Sequence, residues 1–271
     1  SVELDNDTKK SIKKSFVFGE KKNSENLFIE RWYQLLRENG RLAAVLPESV
    51  FDTTENKYIR LFLYKFFKIK AVISLPQLAF EPYTSTKTSL LFAQKKTAKE
   101  VQEWNKTWDE ASKEYSKLKT RTENLIAVHD GIKEKKKLPS IKDMTSAEER
   151  TALVRMLKNH VTDKDDSLSA DDLINKYRSE LDDLCTLDKD TFDSFGHVNT
   201  WWVFGEVAQK FNYDVFMAEV DNIGYKRTKR GEKEMSNELF ELEYAPSKLD
   251  VVAVNKDYSD KIATLSDSIA S

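Results

Sequence analysis

Side chains able to bind a metal or to cradle a nucleotide are few and scattered along the sequence. The histidines and the single cysteine lack metal-ligand spacing, so we assign no metal. No two glycines are close enough to form a G-x-G-x-x-G or G-x-x-x-x-G-K-[ST] loop, which excludes the usual nucleotide loop. The residues concerned are His129, His160, His197 and Cys185, and Gly19, Gly40, Gly131, Gly196, Gly205, Gly224 and Gly231.

Basic residues are concentrated in three segments, Lys9–Lys14, Lys135–Lys137 and Lys226–Arg230. Each segment could contact phosphate, but a solvated surface, loop tip or hairpin tip is the simpler interpretation. Over the whole chain 44 Lys and Arg face 46 Asp and Glu, which gives a net charge of -2. This balance argues against broad nonspecific affinity for DNA.

The composition excludes several classes of protein. The hydrophobic fraction of 39%, with 15 Phe, 10 Tyr and 5 Trp, is too high for a disordered chain. No apolar run approaches the ~20 residues of a membrane helix, and the first residues do not have the pattern of a signal peptide. A single cysteine, Cys185, excludes an internal disulfide framework and fits a reducing cytoplasm. We therefore expect a cytoplasmic protein with one large domain or two small ones.

Helices and short apolar strands alternate over the first hundred residues. Two of the strands end at prolines, Pro47 and Pro76, and have the composition of buried strands in a parallel sheet. The alternation predicts an open α/β sheet. The last two strands are joined by a loop of about a dozen residues, too short for a crossover helix, so we expect an antiparallel hairpin at the sheet edge. Helices are expected at 26–39 and 55–67, and strands at 41–46, 69–75 and 88–93.

The end of the first strand is a candidate ligand-binding edge. Pro47 and Glu48 lie at the carboxyl end of this strand. Ligands of doubly wound sheets bind at the carboxyl ends of the strands, so these two residues are candidates to line a cofactor or base cleft. Ordinary strand termination is the alternative for each side chain.

Three segments follow one another along the chain, NLFIERWYQLLRENGRLAAVLPESVF, AVISLPQLAFEPYTSTKTSLLF and DVFMAEVDNIGYKRTKRGE. They resemble the γ-type adenine-specific DNA methyltransferases, and most closely the modification (M) subunit of type I restriction–modification systems. That family has a helix leading into a G-G-R-x-A-x-V-L-P-x-x-V strand, then an A-V-I-x-L-P strand and a T-S-x-L-x-F strand. A later F-x-A-x-x-x-x-I-G-Y-D-x-x-G-R run follows.

The resemblance implies transfer of a methyl group from S-adenosylmethionine to the exocyclic amine of an adenine flipped out of duplex DNA. The family binds the cofactor on a Gly-rich turn and holds the adenine with an N-P-P-[FYW] motif, and this sequence contains neither. It therefore resembles the C-terminal part of such an enzyme. The expected fold is α/β, a partial S-adenosylmethionine-dependent methyltransferase sheet of later strands and a terminal antiparallel hairpin, with a large α-helical insertion. We expect the chain alone to be inactive.

The loop QLAFEPYTSTKTS occupies the position of the family's base-pocket loop. There an aromatic ring commonly packs against the flipped base. The resemblance makes Phe80 the best positional match and Tyr83 the alternative. Lys87 could reach a phosphate near the flipped nucleotide. Alternatively, Phe80 caps the sheet and Lys87 is merely solvated.

Residues 98–128 have apolar positions at spacings of three and four, which predicts a long helix with an a/d seam. Shorter helices are expected to open at Ser146 and Ser169, and the later helices are the favoured partners of the seam. The apolar segment 201–204 is β-prone and is expected to be a strand or buried edge. We divide the chain into the C-terminal part of a methyltransferase domain (1–97), a helical insertion or arm (98–195), return strands and a turn (196–231), and a polar tail or linker (232–271).

Three functions remain open from the sequence. The first is part of an adenine-specific DNA methyltransferase, with duplex DNA, a specificity (S) subunit and a restriction (R) subunit or second M subunit as partners. The alternative is a non-catalytic interaction or DNA-docking module built on a degenerate methyltransferase scaffold. A third, weaker possibility is methyl transfer to RNA or protein, since the N-P-P motif also serves those substrates.

Overall fold

The fold is described from a computed structural model of the chain. The described residues are 5–13, 16–17, 24–77, 79–188, 198–228, 231–237, 241–243, 251–253 and 262–264. Lys14, His197, Lys229 and Arg230, which were considered in the sequence, lie outside these ranges. The chain divides into two compact units, the first formed by Ser1–Gln102 and Asn212–Ser271 and the second by Glu103–Phe211.

The first unit combines helices with strands in three sheets. Its helices are α1 (Asn6–Lys13), α2 (Ser24–Leu35), α3 (Ser49–Asp52) and α4 (Lys57–Phe66), with a 3-10 turn at Thr54–Asn56. Its strands are β1 (Arg41–Pro47), β2 (Phe67–Ser74), β3 (Thr88–Lys95), β4 (Asp214–Glu219), β5 (Ile223–Thr228), β6 (Gly231–Asn237), β7 (Glu241–Glu243), β8 (Val251–Ala253) and β9 (Ile262–Thr264).

The main sheet has the strand order β1-β3-β2-β4-β9. β3 pairs antiparallel with both β1 and β2, β2 pairs parallel with β4, and β4 pairs antiparallel with β9. The predicted antiparallel hairpin of β2 and β3 is therefore confirmed, but its predicted place at the sheet edge is wrong. β3 lies inside the described sheet because its second side pairs with β1.

β1 is an edge strand of the described sheet and pairs antiparallel with β3, so the prediction of a buried strand in a parallel arrangement is wrong for it. Leu42 and Leu46 are buried, whereas Ala43 and Val45 are exposed, Val45 to 49%. Alternate side chains of a strand point to opposite faces, so only one face of β1 is covered. The apolar run at 42–46 does not reveal this, since Ala and Val are tolerated on either face.

Two consecutive lysines at the end of β3 hold the carboxyl ends of two helices. Lys95 Nζ donates to the carbonyls of Tyr33 and Leu36 at 2.7 Å each, and lies 4.2 Å from the centre of the Tyr33 ring. Lys96 Nζ donates to the carbonyl of Tyr64 at 2.7 Å. The last carbonyls of a helix have no intrahelical partner, so these ammonium groups satisfy them. Burial lowers the pKa of Lys96 to about 7.

The turn from α2 to β1 contains Asn39 and Gly40, where the helix expected at 26–39 gives way to the first strand. Asn39, not Gly40, has a left-handed backbone, with φ of 60°. Gly40 is required for a different reason, because a Cβ there would lie 2.7 Å from the carbonyl oxygen of Arg37. Both residue types are those that a sharp helix end tolerates.

The second unit is helical, as predicted, and its seam packs internally. Among the seam residues, Tyr115 is fully buried, its ring centre lies 5.4 Å from that of Trp202, and its hydroxyl donates to the carbonyl of Leu184 at 2.8 Å. Trp104 packs against Phe204 and Phe211. The helices are α5 (Ala98–His129), whose first residues lie in the first unit, α6 (Ser146–Leu157), α7 (Ala170–Lys176), α8 (Arg178–Cys185) and α9 (Thr200–Lys210).

The helices of this unit begin where the sequence predicts them, except at α6 and at the segment 201–204. Ser169 caps α7 with Asp172 in a capping box, as predicted. α6 is capped by Thr145 with Glu148, one residue earlier than predicted. The prediction of a strand at 201–204 is wrong, because Asn199 caps α9 by accepting from the Trp202 backbone amide at 3.0 Å. Once capped, the segment buries one helical face through Trp202, Val203, Val207 and Ala208.

The segment expected to be a polar tail, 232–271, contains most of β6 and all of β7, β8 and β9 among its described residues. β9 extends the main sheet through its pairing with β4. Among the described residues, no helix is both long enough and apolar enough to cross a bilayer.

We predict that the helical unit loses stability in acid through Asp130. Both guanidinium nitrogens Nη1 and Nη2 of Arg178 bond its carboxylate at 2.9 Å. The hydrogen bonds from Arg178, and that with His129, lower the pKa of Asp130 from 3.8 to about 2. Because the folded pKa is the lower one, the stabilisation is present above about pH 4 and is lost as the pH falls toward about 2.

Thermal unfolding followed by circular dichroism between about pH 6 and about pH 2 checks this prediction. Asp130→Asn should melt at a lower temperature than the unmodified chain near neutrality, and the difference should shrink in acid. Asp109→Asn, an equal charge change at an exposed position of α5, serves as the control. A difference that persists unchanged at about pH 2 would contradict the assignment.

Candidate functional site

The candidate site lies at the carboxyl end of β1, beside the loop that joins β2 to β3. In the antiparallel register, Pro47 faces Thr88 and Leu46 faces Ser89. The Glu48 backbone amide donates to the carbonyl of Lys87 at 3.0 Å, and Ser89 Oγ donates to Glu48 Oε2 at 2.5 Å. These bonds hold the end of the loop against Glu48, so the residues predicted from two separate segments are brought to one edge of the sheet.

A cavity of about 250 Å³ opens at this edge, and its lining is mostly polar. Pro47 is one of the lining residues, and Thr86 contributes from the loop. Glu48 is not among the lining residues, because its carboxylate is turned toward Ser89. The lining residues are Glu25, Asn26, Pro47, Ser49, Val50, Asn56 and Thr86.

Buried amide groups form the wall of the cavity. Asn26 and Asn56 are 1% and 5% exposed, and Asn26 Nδ2 donates to Asn56 Oδ1 at 2.9 Å. Asn26 Nδ2 also bonds the hydroxyl of Tyr58, whose pKa is raised by burial. Asn56 Nδ2 in turn donates to the carbonyl of Ser49 at 2.9 Å. Buried polar groups that are paired in this way are rigid, because breaking one bond leaves a costly unsatisfied partner.

This amide cluster was missed by the analysis of the sequence. Asn26 falls in the first turn of a helix and Asn56 just before another, where an asparagine ordinarily suggests a cap. In the structure neither side chain caps α2 or α4; both point into the interior. Their mutual contact joins residues 30 positions apart, and no local pattern signals such a pairing.

Phe80 and Tyr83 occupy different environments within the loop. Phe80 is partly buried and packs against the cluster of Ile73, Leu75, Ala79 and Val220. Tyr83 is 83% exposed. The loop backbone turns at this point, since the Tyr83 amide donates to the carbonyl of Phe80 at 3.0 Å. The Tyr83 ring therefore lies open to solvent, whereas the Phe80 ring packs on the apolar cluster next to the loop.

Lys87 lies in an acidic environment. Its Nζ is 2.9 Å from Glu219 Oε1. The hydrogen bond to Glu219 raises the pKa of Lys87, with smaller contributions from the charges of Glu48 and Asp221, and the same bond lowers the pKa of Glu219. A phosphate approaching Lys87 must therefore displace or outweigh carboxylates that already compensate its charge.

The remaining candidate groups do not gather at this edge. The described residues include no group of three or more His, Cys, Asp or Glu side chains that could hold a metal ion. Cys185 is buried in the helical unit, and burial raises the pKa of its thiol to about 12. In the Lys135–Lys137 turn, Lys135 pairs with Glu149 at 2.5 Å and Lys137 with Glu134 at 2.9 Å.

Comparison with known proteins identifies a family that matches this chain. Residues 2–173 match the family model described as N-6 DNA Methylase. The methylase subunit of the type I restriction enzyme EcoEI from Escherichia coli is 31% identical over 100 residues, which cover 36% of this chain and 20% of that protein. The chain thus spans about a fifth of the length of this curated relative.

A solved structure concerned with complex assembly and conformational transition of the type I R-M system is also similar. The aligned part is 30% identical and covers 27% of this chain and 16% of the other, with a TM-score of 0.26.

We predict that the amide cluster stabilises the first unit. Asn56→Ala should lower the free energy of unfolding by about 1–3 kcal/mol, since Asn26 and the carbonyl of Ser49 would lose a buried partner. Urea-induced unfolding measures the change, and Glu55→Ala, an exposed neighbour in the same turn, is the control. Equal effects of the two substitutions would show that the cluster contributes nothing.

Proposed function

The chain belongs to the N-6 DNA methylase family, and we propose that it forms part of an adenine-specific DNA methyltransferase of a type I restriction–modification system. The proposal is carried by the family match, which spans the candidate site. The chain is also similar to a type I methylase subunit over 100 residues. Its role in the enzyme would be to supply one wall of the pocket that receives the flipped adenine.

We propose that the two aromatic residues of the loop have separate tasks in this pocket. Tyr83 projects into solvent and would stack on the flipped base, which must regain the stacking it loses on leaving the duplex. Phe80 packs on Leu75 and Ala79 and would hold the loop in place. This assignment reverses the preference for Phe80 that the resemblance alone suggested, and the difference in exposure supports the reversal.

Pro47 and Glu48 would position the loop against the end of β1. Pro47 lines the cavity, and Glu48 bonds the loop through both its backbone amide and its carboxylate. Lys87 would contact a phosphate beside the flipped nucleotide only after exchanging Glu219 for it. That exchange makes the contact dependent on the presence of DNA.

The residues present do not form a complete site for S-adenosylmethionine. The sequence has no Gly-rich turn and no N-P-P motif, and the cavity of about 250 Å³ is below the ~300–1,000 Å³ of ordinary small-molecule pockets. We therefore derive no step of the reaction through the cofactor. We propose that the cofactor and the adenine amine are held by segments or subunits that carry those motifs.

The proposed partners are duplex DNA, a specificity subunit, and a restriction subunit or second M subunit, and the proposed location is the cytoplasm. The helical unit Glu103–Phe211 would be the docking arm for one of these proteins. Its internal core supports this role, because a unit that buries its own seam is available as a rigid arm. The same observation favours the second candidate, a non-catalytic docking module.

We predict that the purified 271-residue chain transfers no methyl group to unmethylated duplex DNA. The reason is that both motifs for cofactor and adenine binding are missing from its sequence. Incorporation of labelled methyl groups from S-adenosylmethionine measures the activity, with the chain alone and together with the proteins encoded beside it. Transfer by the combination alone supports the proposal. Transfer by neither combination nor chain favours the docking module, and transfer by the chain alone overturns the assignment.

In the assembled enzyme, Tyr83→Ala should lower the methylation rate by a factor between about 5 and about 150, since stacking on a base contributes about 1–3 kcal/mol. Cofactor binding and thermal stability should not change. Phe80→Ala should lower the rate together with the thermal stability, because the cluster around Leu75 loses a ring. Phe28→Ala, on an exposed position of α2, is the control. Unchanged turnover in Tyr83→Ala would remove this residue from the base pocket.

A further inference from the structure

The hairpin formed by β5 and β6 carries a local excess of positive charge. Between Ile223 and Asn237 the sequence has five basic and two acidic residues, in a chain whose net charge is -2. The basic residues are Lys226, Arg227, Lys229, Arg230 and Lys233. Whether this charge can bind an anion depends on where the hairpin places these side chains.

Two of these lysines face each other across the hairpin. Lys226 and Lys233 are directly opposite in the antiparallel register, and both are exposed. Like charges in opposing positions destabilise a pair of strands. Within the described residues, neither ammonium group has an ion-pair partner. The hairpin thus keeps an unfavourable pair of cations that an anion between them would relieve.

The hairpin is fixed to the loop that contains Phe80 and Tyr83. The hydroxyl of Tyr225 donates to the carbonyl of Ala79 at 2.9 Å, across 146 positions of sequence. Ile223, at the start of β5, packs on the apolar cluster that also contacts Phe80. The strand pair that carries the lysines is therefore held beside the loop. Two residues, Tyr225 and Ile223, fix its position.

These observations differ from those at Lys87, the phosphate contact suggested by the sequence. Lys87 is paired with Glu219 and lies near Glu48 and Asp221. Lys226 and Lys233 lie directly opposite each other in the register of the hairpin. Of Lys87 and the hairpin, the hairpin is therefore the better candidate to bind an anion.

We infer that the β5–β6 hairpin binds the sugar–phosphate backbone of duplex DNA next to the base-pocket loop, with Lys226 and Lys233 as the phosphate contacts and Tyr225 as a positioning residue. The choice of duplex DNA as the polyanion rests on the proposed function. A phosphate held at this place would set the distance between the duplex and the ring of Tyr83. The hairpin would supply affinity and register without reading sequence.

The salt dependence of DNA binding tests this inference. A fluorescein-labelled duplex of about 20 base pairs is titrated with the 271-residue chain, and fluorescence anisotropy gives the binding constant from about 50 to about 200 mM salt. The double variant Lys226→Gln/Lys233→Gln should bind more weakly. It should also reduce the slope of log K against log [salt] by about 2, one for each phosphate contact removed.

The control is Lys106→Gln/Lys117→Gln, which removes the same charge from exposed positions of α5. An equal loss of slope in the control, an unchanged slope in the hairpin variant, or no binding by the unmodified chain at about 50 mM salt would overturn the inference. Tighter binding of a single-stranded RNA of the same length, with the same loss of slope, would overturn the choice of duplex DNA.

Tyr225→Phe separates positioning from charge. It removes one hydroxyl, so the salt slope should stay the same while the affinity falls about fivefold. Unchanged affinity would remove Tyr225 from the proposal. Methyl transfer in the assembled enzyme is measured separately, so failure of the hairpin with normal methylation leaves the proposed function standing. Hairpin-dependent binding without methylation overturns only the proposed function.

Discussion

The pairing of β3 on both of its sides is the constraint on which the rest of the first unit depends. Because β3 bonds β1 and β2 in antiparallel register, the loop preceding it must end beside the carboxyl end of β1. That geometry brings Lys87 to Glu48 and Thr86 to the cavity. Without the contact to β1, the loop would remain attached to β2 alone, and the two candidate segments would not share an edge.

The same strand holds the opposite end of the sheet through its lysines. Lys95 and Lys96 satisfy the last carbonyls of α2 and α4, so the helices are fixed at the end of the sheet remote from the cavity. At the cavity end, the fixing groups are the amides of Asn26 and Asn56. Polar groups thus fix both ends of the helix layer, while apolar side chains such as Ile59 and Leu61 fill it. A directional bond sets an orientation, which non-directional apolar burial does not.

The net charge of the chain is close to zero, but the local charge around Lys87 differs from that of the β5–β6 hairpin. Lys87 is paired with Glu219, whereas Lys226 and Lys233 of the β5–β6 hairpin lie opposite each other. Net charge is therefore a poor guide to where an anion would bind this chain, because binding depends on the local balance within about a Debye length. The helical unit is a separate case, since its prominent Lys135–Lys137 segment is largely paired internally.

The sequence by itself determined the family, the alternation of helices and strands, the hairpin of β2 and β3, and the buried seam of α5. These follow from local periodicity and from motifs in a fixed order, and the family match confirmed the resemblance. Only the tertiary structure decided that β1 is an edge strand, that 201–204 is helical, that Tyr83 rather than Phe80 is exposed, and that Asn26 meets Asn56. At β1, Tyr83 and Asn26 the outcome depends on which distant segment covers the residue, and a pattern of neighbours along the chain carries no record of that contact. At 201–204 the Asn199 cap starts a helix, and the packing of α9 buries one face of it.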